Sequence, residues 1–404
     1  MNNQPHDISD LTGPMDSTSG PLSGIVVADL SRVLAGPYGT MLLADMGATV
    51  IKIESRQGDD TRAWMPPVLD GKSTYYMSIN RNKRSVALDF NDPEDLETAR
   101  RIIGRADVVV ENFKPGSLAK YNLDYATIAA TQPEVVYASI TGFGTAGGGA
   151  LPGYDLMVQA ISGLMDLTGS PETEGFRSGV AIFDVITGLH TTIGILAALR
   201  EREHTGRGQL VETNLLSSAQ SGLVNQTAGY LLSGSVPERM GNEHPSIYPY
   251  EPFPTAQGPL IIAVGNDGQF RRLCNVLGIP GIAADERFCT PPLRSRNRTE
   301  LRPILVDALS TNDAQSWFDL LTEQNVPAAP INSIAQGIDY AESIGLDPVV
   351  RVGPAGEMPG IRHPIGFSRT PARYDLLPPD LDADREHILN WLGAESRLAA
   401  QSRA

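Results

Sequence analysis

The sequence predicts an α/β protein: a larger, Rossmann-like domain on a parallel sheet, joined to a smaller α/β domain. Three observations carry this. Residues 24–54 read strand, helix, strand with a short connection on each side of the helix, the signature of neighbouring parallel strands. Strands and helices go on alternating as far as residue 144. Beyond that point long helical stretches and Pro-rich loops take over.

The elements follow in order. The first twenty residues are polar and lack a basic segment followed by an apolar one, so they read as a disordered tail and no signal peptide. GIVVADLS (24–31) is an apolar strand, GPYGTMLLADMGA (36–48) has helical spacing and closes on Gly47, and TVIKIE (49–54) is the second strand. Residues 55–75 form a polar loop, and SVALDF (85–90) resumes the sheet. Asp92-Pro93 opens a helix over 93–105, with Pro at its first position. ADVVVENF (106–113) and VVYASITGFG (135–144) are further strands. Helices are expected at 155–168, 184–203 and 216–233, with a strand at 210–215. Residues 237–258 read as mostly loop, 259–266 as strand, 267–325 as helices, 325–332 as an extended segment and 384–393 as a terminal helix. The division expected is a tail over 1–21, the large domain over 22–215, a linker and small domain over 216–340, and 341–404 returning to the large domain.

Composition bounds the function. At ~150 residues per unit, 404 residues make two or three units. A net charge of −15 argues against nucleic acid or an anionic membrane as partner, since both require a basic face. Two cysteines, Cys274 and Cys289, build neither a disulfide framework nor a metal-type cluster, so a cytoplasmic setting is expected. No run reads as a membrane span, because the most apolar window, 179–199, carries Asp184 and His190 and is broken by glycines.

Within that window Asp184 stands at the head of a helix. Periodicity alone favours a helix cap over a chemical role. GFGTAG (142–147) fits the dinucleotide pattern, but Gly148, Gly149 and Pro152 follow it where a helix has to start, which weakens a nicotinamide-dependent oxidoreductase. Arg81, Lys83 and Arg84 in INRNKR, with Arg56, Arg62, Lys114 and Lys120 in nearby loops, are consistent with a phosphate site as well as with a solvated face. VGNDGQF (264–270) is a glycine loop whose N–H groups suit an oxyanion or a simple strand-to-helix turn, and His244 is either a substrate contact or a surface histidine.

The pieces DLSRVLAGPYGTMLLADMGATVIKIE, GDDTRAW, STYYMSINRNKRSVALD, ENFKPGSLAKYNL, SITGFG, PGYDLMVQAISGLMDLTG, FDVITGLH and VGNDGQF occur in one order. Together they resemble the class III coenzyme A transferases over residues 22–395. The resemblance implies an interlaced homodimer, CoA thioesters as substrates with a small carboxylic acid, and no permanently bound cofactor or metal. It puts a nucleophile on Asp184 and a CoA site on Val33, Arg56, Arg84, Asn112, Phe113 and Lys120. The implied substrate pocket comprises Leu34, Tyr75, Tyr154, Asp155, Gly265, Asn266 and Gly268, with Arg32, Arg81 and His244 as candidates for a distal carboxylate. Formyl-CoA transferases carry glutamine where this chain has Leu34, which argues against formate or oxalate. The related α-methylacyl-CoA racemases carry a histidine base at Tyr154, and a phenol of pKa ~10 replaces it poorly. RVLAGP, NRNKRS and GNEHPSIYPYEPF look most like the branch that uses succinyl-CoA with glutarate or similar dicarboxylates.

Overall fold

A computed structural model describes residues 20–401, with side chains described as far as residue 393. Of the expected N-terminal tail, residues 1–19 lie outside that range. Six strands form one parallel sheet: β1 (Val26–Asp29), β2 (Thr49–Glu54), β3 (Lys83–Ala87), β4 (Val108–Glu111), β5 (Val136–Thr141) and β6 (Leu210–Asn214). Their spatial order is β3-β2-β1-β4-β5-β6. Helices cover both faces, so the central strands are buried on both sides and read as unbroken apolar runs rather than alternating ones.

The connecting helices are α1 (Ala35–Asp45), α2 (Pro93–Ile103), α3 (Tyr125–Thr131), α4 (Asp155–Ile161), α5 (Ile182–Thr205), α6 (Leu215–Gly222) and α7 (Val224–Ser233). The Asp92-Pro93 start is as expected: the Asp92 carboxylate accepts the N–H groups of Glu94 and Asp95 at 2.9 and 3.1 Å. The helix expected over 155–168 instead stops at Ile161, because Gly163 turns the backbone to φ +92°. α5 has 24 residues and is, by length and composition, apolar enough to cross a membrane, which corrects the reading of no membrane-length run. Here it packs on α1 so closely that a Cβ at Gly188 would lie 2.6 Å from the Ala35 carbonyl oxygen.

The chain divides into two compact units. One takes the residues up to Gly163, Ser178–Ser235 and those from Asp347 onward; the other takes Leu164–Arg177 and Val236–Leu346. The first unit therefore runs past residue 215, keeping α6 and α7, since Leu215 and Ala219 of α6 are buried. The C-terminal part meets the sheet edge, where Asp382 and Asp384 accept the β3 N–H groups of Ala87 and Ser85 at 2.7 and 2.9 Å. It ends in α12 (Arg385–Gln401), whose Ile388, Trp391 and Leu392 join the core beside α2.

The second unit holds a three-stranded antiparallel sheet of β7 (Tyr250–Pro254), β8 (Pro259–Ala263) and β9 (Ala328–Pro330), with β8 central. Its longer helices are α8 (Asp267–Val276), α9 (Arg298–Leu309), α10 (Ala314–Glu323) and α11 (Ile334–Ser343). β7 is a strand inside the mostly loop stretch expected over 237–258, and no strand was expected there. It tolerates Pro252 and Pro254 because it is an edge strand, while Glu251 and Phe253 turn inward.

Candidate active site

Strand order reverses between β1 and β4, and a parallel sheet offers its ligand crevice beyond the strand ends at such a point. The two chains leaving these strands are tied together. The Asn112 side chain accepts the Arg32 N–H at 2.9 Å and donates to the Arg32 carbonyl at 2.8 Å. Val33 follows with φ +70°, a strained value for a β-branched residue, and its N–H is held by both Asp59 oxygens at 3.3 Å.

A buried charge cluster supports this turn from below. Lys52 donates to the Ser31 carbonyl and to Asp59, each at 2.9 Å, and neither Lys52 nor Asp59 exposes its side chain. Lys83 donates to Asp29 at 3.1 Å, and Asp29 also accepts from Thr40 and Ser31. Burial pulls Lys83 down to about 8, with Lys52 repelling it and Asp29 opposing the fall. Lys52 stays high despite burial, because Asp59, Asp29 and Glu54 all face it.

The crevice is a cleft of about 440 Å³ lined by Arg32, Val33, Leu34, Asn112, Phe113, Lys114, the loop 141–154 and Asp184. The loop closes on itself, for a Cβ at Gly142 would lie 2.4 Å from the Gly153 Cα. Its GxGxxG stretch runs through turns and reaches a helix only at Asp155, so it presents no helix N-terminus of its own.

Asp184 sits in the first turn of α5, but it is not the cap. Ala181 occupies the cap position with no side-chain bond, and Asp155 of α4 caps the helix from outside. The Asp155 Oδ1 accepts the N–H groups of Phe183 and Asp184 at 2.8 and 3.1 Å. Among the described residues no donor reaches the Asp184 carboxylate. Burial first, and then the charge of Asp155, push its pKa up to about 7, so it is half ionised near neutral pH. Tyr75 lies close enough to feel both carboxylates; burial and their charges push it up to about 12.

The structure sorts the sequence-predicted residues. Arg32, Val33, Leu34, Asn112, Phe113, Tyr154 and Asp184 gather around one cleft. A second cleft of about 450 Å³ shares Arg32 and Phe113 and adds Arg56 and Tyr121; the Lys120 ammonium stands 4.4 Å from the Tyr121 ring centre. The cluster Arg81, Lys83 and Arg84 faces inward, which corrects its reading as a phosphate site. Arg81 is buried against Asp45, with Nη2 to Oδ2 at 2.6 Å, and Arg84 donates to Asp384 at 2.9 Å. Asp155, expected in the substrate pocket, has its oxygens engaged by backbone N–H groups and by Gln159.

Two expected pieces belong to the second unit. The Gly265 N–H is already used by the Gln269 side chain at 2.9 Å, and Asn266 caps α8 by accepting the Gln269 N–H. The Asn266, Asp267 and Gly268 N–H groups of that loop have no partner among the described residues. His244 packs against Tyr250, and its Nδ1 accepts the Ser246 N–H at 3.1 Å. Among the described residues no group of His, Cys, Asp or Glu is placed to hold a metal ion. The cap by Asp155 and the buried lysine pair were missed at the sequence level. A lysine in the middle of the apolar strand TVIKIE was the available signal.

The chain matches the model of CoA-transferase family III over residues 22–385. A succinate–glutarate CoA-transferase of Agrobacterium fabrum is 45% identical, over 95% of this chain and 99% of its own length. A succinyl-CoA:glutarate CoA-transferase of Mus musculus is 38% identical, over 91% of this chain and 86% of its own. A CAIB/BAIF family protein from Brucella suis, known from its crystal structure, superposes with a TM-score of 0.85 at 41% identity, covering 93% of this chain and 100% of that one.

Proposed function

This chain belongs to CoA-transferase family III, and we propose that it moves coenzyme A from succinyl-CoA to a dicarboxylate, glutarate first among them. One observation carries the proposal: Asp184 is a half-buried carboxylate of raised pKa that opens onto the cleft at the sheet's switch point. The names of the Agrobacterium and mouse relatives supply the donor and acceptor. The test is a CoA-exchange screen by mass spectrometry, with succinyl-CoA offered to glutarate, hydroxymethylglutarate, mesaconate, oxalate and carnitine. Glutaryl-CoA is the expected product. Exchange with oxalate or carnitine alone would reject the dicarboxylate reading.

The proposed chemistry begins with the Asp184 carboxylate attacking the succinyl thioester carbonyl. CoA thiolate leaves and a mixed anhydride remains. The thiolate then attacks the Asp184 carbonyl, succinate departs, and CoA is held as an aspartyl thioester. The acceptor carboxylate attacks that thioester, giving a second anhydride and free thiolate. Attack of the thiolate on the acceptor's acyl carbon forms the new thioester and restores Asp184. A carboxylate near its ordinary pKa of 3.8 is a poor match for a thiolate, whose conjugate acid has a pKa of ~8.5; at about 7 the gap shrinks and the first step is less uphill. CoA thioesters act as substrates, and the sequence of steps needs no resident cofactor.

The two adjoining clefts suit a long ligand. We assign the CoA chain to Val33, Asn112 and Phe113, and its nucleotide end to Arg56 and Lys120. Arg32 is the cation we assign to the acceptor's distal carboxylate. It lines the cleft with Asp184, meets Asp60 in an exposed contact at 3.1 Å and stands 5.8 Å from the Phe113 ring centre. Arg32→Met should raise the KM for glutarate about 10- to 100-fold, the ~1.5–3 kcal/mol of a hydrogen bond to a charged group, and leave kcat little changed. An unchanged KM would release Arg32 from that role.

We further propose a homodimer, interlaced as in the resemblance. α7 supports it, since Leu231 and Leu232 are 77% and 88% exposed in a single chain. Light scattering should give twice the chain mass of 43.3 kDa, and a single-chain mass would refute it. The cytoplasm is the proposed setting, where two free thiols persist.

A further inference from the structure

We propose that Asp155 and Gln159 form a buried clamp that positions Asp184 and that neither touches substrate. The inference rests on Asp184 being the nucleophile and adds the device that aims it. Asp155 opens α4 and is 8% exposed; Gln159 lies one turn later and is 1% exposed. Asp155 Oδ1 accepts the Phe183 and Asp184 N–H groups, and its Oδ2 accepts from Gln159 Nε2 at 2.5 Å. Gln159 carries the hold backward along the chain. Its Oε1 accepts the Ser178 N–H at 2.8 Å, and Nε2 also reaches the Val180 carbonyl at 3.3 Å.

Ser178, Val180, Phe183 and Asp184 are thus pinned by two side chains of one short helix. Ser178 is where the chain re-enters the first unit, so the clamp fixes the whole approach to α5. A helix start needs acceptors for its first N–H groups, and Ala181 has no side chain to offer one. One of the two N–H groups held is that of Asp184 itself. The cap therefore fixes the backbone of the reacting residue and not merely the helix behind it. Misplacing a reacting group by ~1 Å costs on the order of 10²-fold in rate.

The clamp also sets the charge beside the nucleophile. Around Asp184 are Asp155 from α4 and Tyr75 from the short helix Thr74–Ser78, with Tyr38 of α1 against Gly188 one helical turn along; Arg32, Asp60, Lys114 and Tyr154 line the same cleft, and α6 brings the apolar Leu215. Of these the Asp155 carboxylate is the charge that opposes ionisation of Asp184.

Asp155→Asn separates clamp from substrate contact. Asparagine keeps an acceptor for Phe183 and Asp184, but its NH2 meets Gln159 Nε2. If Gln159 turns its amide over, the conflict moves to the Ser178 N–H, so one donor is orphaned either way. The expected result is kcat down at least tenfold, KM for succinyl-CoA within twofold of wild type, and the acid limb of kcat/KM moved at least half a pH unit lower. Gln159→Leu keeps the charge and removes the strap, so kcat should fall with the limb in place. It also serves as the test if Asp155→Asn does not fold. A raised acceptor KM with unchanged kcat would make Asp155 a substrate contact and overturn the clamp. Wild-type kcat and limb in the folded variants would overturn it too. Asp184→Asn, assayed beside them, keeps the two readings apart: continued transfer there sinks the nucleophile, whereas a dead Asp184→Asn with clamp variants like wild type sinks only the clamp.

Discussion

Asp184→Asn is expected to abolish CoA transfer, by a factor on the order of 10⁴ or more, and to leave a protein more stable than wild type above pH 7. The amide is nearly isosteric, so the cap from Asp155 to the Phe183 and Asp184 N–H groups survives. The carboxylate proposed as nucleophile does not. The stability gain follows from the raised pKa. In the unfolded chain the carboxyl ionises near 3.8, and in the folded protein near 7. Below about pH 4 both states hold the proton and Asp184 costs nothing. Between 4 and 7 only the unfolded state ionises, so wild-type stability drains away as pH rises through that window. Above it the loss is on the order of 2–4 kcal/mol, and the variant avoids it. Thermal melts at pH 4 and pH 8 read this directly: the variant's advantage should appear only at pH 8. In wild type the same ionisation should make kcat/KM fall about tenfold per pH unit below about 7. Equal melting of the two proteins at both pH values would mean that Asp184 ionises normally.

Lys52→Met should carry the largest cost in stability, about 3–5 kcal/mol, measured by denaturant unfolding. Methionine fills the space of the lysine stem but leaves Asp59 and the Ser31 carbonyl without the ammonium that each meets at 2.9 Å. Asp59 keeps Thr61 and the Val33 N–H, yet it stays a buried anion beside Glu54. The damage should reach activity as well. The Ser31–Leu34 turn lines the cleft, and the left-handed Val33 depends on Asp59 to stay strained. A loss below 1 kcal/mol with unaltered kcat would show that the cluster is dispensable.

The parallel sheet was legible because its strands are apolar on both faces and its helices begin with recognisable caps such as Asp92-Pro93. β7 was not, because its prolines are turn signals everywhere except at a sheet edge. Within the site, Asp184 stood out as a lone acid in an apolar helix, but its pairing did not. The partners that decide what the basic residues do are remote in sequence. Arg81 meets Asp45 at a separation of 36 residues, Lys83 meets Asp29 at 54, and Arg84 meets Asp384 at 300. Local pattern shows three adjacent cations and nothing of the carboxylates that fold onto them. The same holds for Asp155, which caps a helix that begins 27 residues after it, far outside the i to i+3 span in which caps are read.

The most direct test is peptide mass spectrometry of the enzyme mixed with succinyl-CoA and no acceptor, quenched in acid. Asp184 as nucleophile predicts CoA joined through a thioester to the peptide that contains residue 184, lost on adding glutarate as glutaryl-CoA appears, and missing from Asp184→Asn. Glutaryl-CoA formed at full rate without that adduct, or with CoA joined to another residue, would contradict it.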